Sequence, residues 1–418
     1  MKTPMTGGIK NYLHSKSWQT LFFEISTYVF VGTLPLLLKY NTIALWVFAL
    51  AAIILSNKNK DWKSNLTNNQ NAFIGFIFLF GLYLTGLLLS DDLIRVFKDI
   101  GRVVPLILLP MLVFSRNKKD FDIKNIFTSL GIGLFVGMLI CWYHILKSIM
   151  SKARPLEQAK YFFEWIYTDW NLVAPLDGHP SYFAILIVLF LAAIITNDKF
   201  KKLRKNKVKL SLLLFPFFIF LIETSSRIAI ISLVTVLLIY SINKFRFKGL
   251  LLMMVFLSIL TLFSLKFDYL GSKFSKIISL NGEIKVERYH RWREILNVFN
   301  KKDSWVFGAG SGDARIIYRE AYENGNFDLA YENNYNAHNQ YLEFLVSNGL
   351  IGFIFYLLVL IYFVYKTKLN KEAMSFFIII IFFSMSESFF GRSQGVLIFS
   401  FFYSILILYY NTKTQNAN

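Results

Sequence analysis

Long apolar runs recur along the whole chain, and they constrain its fold more than any other feature. A helix needs ~18–20 apolar residues to cross the hydrocarbon core of a bilayer. About twelve such segments can be placed, at roughly 19–38, 41–56, 71–90, 96–115, 126–149, 180–197, 210–224, 227–242, 249–266, 339–365, 372–390 and 394–411. The second, seventh and eighth are short, which suggests tilt or a re-entrant path. Hydrophobic residues make up 55% of the 418 and charged residues 17%, with 44 Phe, a composition too apolar for a soluble chain of this length. The expectation is an all-α polytopic membrane protein in which residues 1–418 form a single integral membrane domain.

Orientation follows from Lys and Arg in the short loops. Lys58, Lys60 and Lys63 follow the second span, and Arg116, Lys118 and Lys119 follow the fourth. A block from Lys199 to Lys209 follows the sixth; Lys244, Arg246 and Lys248 follow the eighth; Lys366, Lys368 and Lys371 follow the tenth. Every second loop is therefore basic, and with both termini inside, all five clusters fall on the cytoplasmic face. The net charge of +19 reads as this topology signal next to anionic membrane lipid, and not as a nucleic-acid footprint. Lys2, Lys10 and Lys16 precede a span-length apolar run without a small-residue cleavage pattern, as in a retained signal anchor. The single Cys141 excludes an intramolecular disulfide.

This topology leaves two long outer loops, at 150–179 and 267–338. Loops of that length are uncommon unless they carry function. Residues 286–299 have the period of an amphipathic helix. At 100° per residue, Trp292, Ile295, Leu296 and Phe299 form its apolar face, and His290, Arg293, Glu294 and Asn297 the opposite one. Arg288 falls within the apolar arc and Arg291 at its edge. Such placement fits either snorkelling or guanidiniums aimed at a buried anion, for which a phosphate is the best match. The stretch Gly308-Ala-Gly-Ser-Gly312 lacks a strand–turn–helix setting and reads as a tight turn with positive φ, with backbone N–H groups near a pyrophosphate as the other reading. Tyr318, Tyr322, Phe327, Tyr331, Tyr335 and Tyr341 suit sugar faces and the membrane interface alike.

Further polar residues sit at the outer ends of spans. Arg227 is costly there without a partner; Glu223, four residues earlier, would supply one, or Arg227 is a further guanidinium for the same anion. His179 opens the sixth span. Glu387 and Arg392 bracket the last outer connection and are most simply an ion pair. His338 and Asn339 end the long loop where an apolar span begins. No metal-ligand spacing and no nucleophile elbow occurs, so neither a metal nor another cofactor is expected.

His338-Asn339, nine residues, Gly349, two residues and Gly352 together resemble the histidine motif of the bacterial O-antigen ligases. Ser226-Arg227 resembles the arginine motif of the same superfamily, which also holds O-antigen polymerases and protein O-oligosaccharyltransferases. The Arg-Trp helix, the Gly-x-Gly turn and the long outer loop are similar too. The resemblance covers roughly 175–400 and is sharpest at 286–352. Residues 1–170 match in hydropathy only, and the Asp177–Tyr182 stretch is not part of the ligase pattern.

The resemblance implies a C-type glycosyltransferase fold in the bacterial inner membrane, with its catalytic cavity facing the periplasm. It implies a donor glycan on undecaprenyl pyrophosphate and an acceptor hydroxyl on the lipid A core, without a nucleotide. His338 would be the base, and Arg227, Arg288 and Arg291 would hold the pyrophosphate. His179, Asn339, Tyr341, Glu387 and Arg392 would support the site or the acceptor. The nearest rival is a polymerase that uses a second lipid-linked glycan as acceptor. A twelve-span transporter is a more remote one, because its ionisable groups would gather at the midplane.

Overall fold

A computed structural model describes residues 16–152, 162–246, 248, 251, 287–368 and 370–411. It is helical, with no strand among the described residues. The longer helices are α1 (Trp18–Thr33), α2 (Leu38–Asn59), α3 (Gln70–Leu84), α4 (Leu93–Val103), α5 (Pro105–Phe114), α6 (Ile123–Ser151) and α7 (Pro180–Thr196). They continue as α8 (Lys207–Glu223), α9 (Arg227–Phe245), α10 (Glu287–Lys301), α11 (Ala314–Asn324), α12 (Gln340–Thr367), α13 (Lys371–Ser386) and α14 (Ser393–Tyr410).

Each expected span that lies among the described residues is helical. Among the described residues, six stretches are by themselves long and apolar enough to cross a membrane: α2, Gln70–Leu89, α6, α9, α12 and α14. A seventh is reached if Trp165–Leu176 and α7, bent by 85° at their junction, form one span. The expected fourth span is broken instead of continuous. Pro105 has no N–H to continue the ladder of α4 and clashes with the preceding turn, so α5 begins anew there. The second expected span, read as short, is a full 22-residue helix. The ninth expected span, residues 267–286 of the long loop and the N-terminal Lys2 and Lys10 lie outside the described residues.

The outward faces show what surrounds the bundle. On α2, Ile43, Trp46, Leu50 and Ile53 recur at helical spacing and all are more than half exposed. Water does not tolerate an apolar stripe of that extent, whereas lipid does. The chain is a multi-pass membrane protein.

The five basic clusters gather at one end of the bundle. Arg116 donates to Ser56, and Lys199 Nζ reaches Asp122 at 3.0 Å and the Tyr409 hydroxyl at 3.1 Å. Lys201, Lys205, Lys244 and Lys371 line one hollow there. The opposite end carries the starts of α7, α9, α12 and α14 and the ends of α8 and α13.

At that opposite end α10 and α11 build a small core of their own. Ile295, Val298, Phe299, Ile317, Tyr318 and Tyr322 pack together and onto Leu342 and Val346 of α12. The expected amphipathic helix is present, with its buried face rotated: Val298 is buried and Leu296 is exposed. Tyr318 and Tyr322 are core residues, so their rings are not available to a sugar.

The glycine turn is a staple. Ala309 and Gly310 N–H donate to the Val346 and Ser347 carbonyls at 2.8 and 2.9 Å, and Leu350 N–H donates to Trp305 O at 2.7 Å. These bonds enter α12 where its helical path is interrupted at Gly349, with φ 63° and ψ −161°. Gly308 N–H bonds Ser304 O and Gly312 N–H bonds Ser90 Oγ. Four of the five amides of the 308–312 turn are thus spent inside the protein, which argues against the reading that they bind a pyrophosphate. A Cβ at Gly349 would lie 2.2 Å from Val306 O, a backbone atom that cannot swing away. Gly349→Ala is therefore expected to destabilise by about 2–6 kcal/mol, the sum of left-handed strain and overpacking. Thermal melting in detergent checks this; an unchanged midpoint would remove the staple from the account.

Candidate active site

A cavity of 990 Å³ opens at the end of the bundle opposite the basic clusters. Its wall comes from the starts of α7 and α9, the end of α13, the inner face of α10 and the loop ahead of α12. His338, Arg227, Arg288, Arg291, His179, Glu387 and Arg392 all line it. Residues from five distant stretches of the chain therefore meet in one place.

His338 sits one residue before the N-cap of α12. Its φ of 48° is left-handed, a strained conformation for a side-chain-bearing residue. Asp169, Ser225 and Asn334 share such positive φ and line the same cavity. The His338 ring faces Glu387, with Nδ1 at 3.3 Å from Oε2. Tyr335 meets it edge-on with ring centroids 5.5 Å apart. With Nδ1–H donating to the carboxylate, the neutral ring presents Nε2 as its acceptor.

Glu387 is the hub. It lies just past the end of α13 and is only 5% exposed. Ser181 Oγ donates to its Oε1 at 2.8 Å, and Arg288 Nη2 stands 3.9 Å away. Burial alone raises a carboxyl, but the His338 bond and the charges of His179, His338 and Arg288 outweigh it. They hold Glu387 down at about 2, so it is a fixed anion. The expected pairing with Arg392 is not the one formed. Glu387 turns to Arg288 and His338, and the Arg392 guanidinium lies 5.4 Å over the Trp170 ring. Both residues are extended and a 3₁₀ turn lies between them, so they do not share a helix face.

Five guanidiniums line the cavity: Arg227, Arg288, Arg291, Arg315 and Arg392. Arg288 is anchored by a 2.7 Å bond from Nη1 to Ser386 O. Arg291 is 8% exposed, and its Nε and Nη1 are buried without a hydrogen-bond partner. Its nearest carboxylate, on the exposed Glu287, is 3.7 Å from Nε, and the guanidinium lies 5.8 Å from the Tyr335 ring centre. A buried, under-bonded guanidinium is costly. Glu223, expected beside Arg227, instead accepts from Trp142 Nε1 at 2.8 Å.

His179 is tied into the start of α7. Its Nδ1 accepts from Ser181 N–H at 3.2 Å, capping α7, and its ring packs against Trp170 and Tyr182. Burial lowers it to about 4, against the pull of Glu387, so the ring is neutral near pH 7. Asn339 and Tyr341 do not line the cavity. Asn339 Oδ1 caps α12 by accepting from Tyr341 and Leu342 N–H, and the Tyr341 hydroxyl donates to Ile381 O. Gln340 and Glu343, in the first turn of α12, bind Phe390 N–H and Ser388 Oγ and hold the Glu387 loop in register.

Arg315, Ser181 and Trp170, absent from the residues expected at the site, also line the cavity. Arg315 opens the helix after the glycine turn, and that position was its one available signal. Ser181 lies in the Asp177–Tyr182 stretch, where only His179 drew notice, and Trp170 lies in the outer loop before it, which carries no motif. Among the described residues, no group of three or more His, Cys, Asp or Glu side chains gathers as a metal site would require.

No curated protein matches the chain. Residues 210–357 match the family model of the O-antigen ligases, a stretch that runs from α8 through the middle of α12 and includes Arg227, Arg288, Arg291, Arg315 and His338. That stretch, which carries the histidine and most of the arginines of the cavity, is similar to the O-antigen ligases, in line with the resemblance of the His338 and Arg227 motifs.

Proposed function

We propose that the protein is an inverting glycosyltransferase of the O-antigen ligase type. It moves a glycan from undecaprenyl pyrophosphate to a sugar hydroxyl of the lipid A core. The observation that carries this reading is the buried, under-bonded Arg291 within a five-arginine cavity that also holds a carboxylate-oriented histidine. Guanidinium forks suit the oxygens of a pyrophosphate, and a neutral imidazole suits a hydroxyl proton.

In the proposed step the acceptor oxygen attacks the anomeric carbon as His338 Nε2 takes its proton. The bond from that carbon to the pyrophosphate oxygen breaks, and the electron pair leaves with the phosphate. Attack opposite the leaving group inverts the anomeric centre. Charge grows on the departing pyrophosphate, where Arg291, Arg288, Arg227 and Arg315 are already in place. Those cations do the work that a metal would otherwise do, so the reaction is proposed to be metal-independent. The proton leaves His338 with the released pyrophosphate or with water.

The proposed setting is the bacterial inner membrane, with about twelve spans in a C-type glycosyltransferase arrangement. The basic end faces the cytoplasm and the cavity faces the periplasm. Residues 1–418 form one membrane domain, with outer loops at 150–179 and 267–338.

Incubation of the purified protein with lipid-linked glycan, with and without lipid A core, tests the proposal. Product on the core is expected. Lengthened lipid-linked chains without core would assign polymerase activity instead, and no transfer to either acceptor would overturn both. Transport is disfavoured because the ionisable residues gather at one end and not at the midplane.

A further inference from the structure

A second hollow, of 510 Å³, lies at the other end of the same helices. α7, α9 and α13 each run from the arginine cavity to this hollow, which takes residues from Thr196, Tyr240, Lys244 and Lys371 at their far ends. The 19 residues of α9 span ~28 Å, about the thickness of a bilayer's hydrocarbon core. The two hollows therefore sit at opposite membrane boundaries.

Its lining is cationic. Lys201, Arg204, Lys205, Lys244 and Lys371 converge on it from three separate connections, against one carboxylate, Asp198. Arg204 is held by a 2.9 Å bond to Ile194 O and stands 3.5 Å from Asp198, which leaves the four lysines as the adjustable charges. The side toward the bundle is apolar, formed by Val236, Met374 and Ile378. Charge at the mouth and hydrocarbon below match one chemical class, a phosphate ester attached to an acyl chain.

We infer that this hollow is a binding site for the headgroup of an anionic phospholipid, separate from the transfer cavity. Loop lysines that only set topology are spread around the bundle and meet headgroups transiently. Here cations from 199–209, 244 and 371 are brought around one concavity with an apolar wall, so a single headgroup meets several of them together.

Native mass spectrometry of the full-length protein tests the site, with phosphatidylglycerol, phosphatidylethanolamine and phosphatidylcholine as probes. Retention of phosphatidylglycerol over both zwitterionic lipids is expected. Lys201→Gln, Lys205→Gln, Lys244→Gln and Lys371→Gln, combined stepwise, should each weaken it by about 5-fold. All four side chains are exposed, so these variants are expected to fold. A control removes Lys58, Lys60 and Lys119, which lie at the same basic end outside the hollow, and should leave retention unchanged. Equal loss in the control would reduce the effect to general surface charge and overturn the site, as would equal retention of all three lipids. Displacement of the lipid by millimolar inorganic phosphate, with phosphate itself retained, would reassign the hollow to a soluble anion.

Discussion

His338→Ala is expected to lose about 10²–10⁴ in transfer rate, the range for removing a positioned general base. His338→Gln should fall as far, because an amide can still donate to Glu387 but cannot take a proton at the second position. Single-turnover transfer from lipid-linked glycan, in protein verified as folded, is the measurement. Wild-type turnover in either variant would sink the assignment. Glu387, held at about 2, stays ionised above that pH. Glu387 has its own signature in stability. A carboxyl depressed in the folded state stabilises above the unfolded value, about 4.3, and the gain is lost only as pH falls from there toward 2.

Arg291→Ala is expected to cost about 10²–10³ in rate, comparable to deleting one preorganised donor from an anion hole. Arg291→Lys should recover little, because an ammonium lacks the planar fork. Stability should move the other way or hold steady. The guanidinium is buried with Nε and Nη1 unbonded, so removing it relieves a desolvation cost. A merely structural arginine would instead lower the melting point in step with activity, and that outcome would remove Arg291 from the proposed site.

Arg291 and His338 were legible in the sequence for different reasons. Arg291 stood out because helical periodicity put a cation at the edge of an apolar arc, and the structure buries it. His338 stood out through its spacing to Gly349 and Gly352, and the structure shows why that spacing matters: Gly349 is the kink that the 308–310 turn grips. Leu296 was misplaced because the buried side of α10 is set by contact with α11, and a periodicity computed on one helix carries no information about its neighbour. The expected Glu387–Arg392 pair failed for a related reason. Sequence proximity favoured a local partner, while Ser181, 206 positions away, and His338, 49 positions away, were invisible to it. Pro105 was in plain view within the expected fourth span, and its effect on α4 followed from its chemistry alone.

The bonding of Glu387 has a consequence for biogenesis. Its partners Ser181, Arg288 and His338 emerge from the ribosome long before it does, and its carboxylate arrives only with the hairpin of α13 and α14. Until that hairpin inserts, the imidazole lacks its carboxylate partner and the cavity's arginines lack the buried counter-charge of Glu387. On the proposed function, a chain cut before Glu387 would therefore enter the membrane with its base unoriented, and competence for transfer would come only with the segment that carries Glu387.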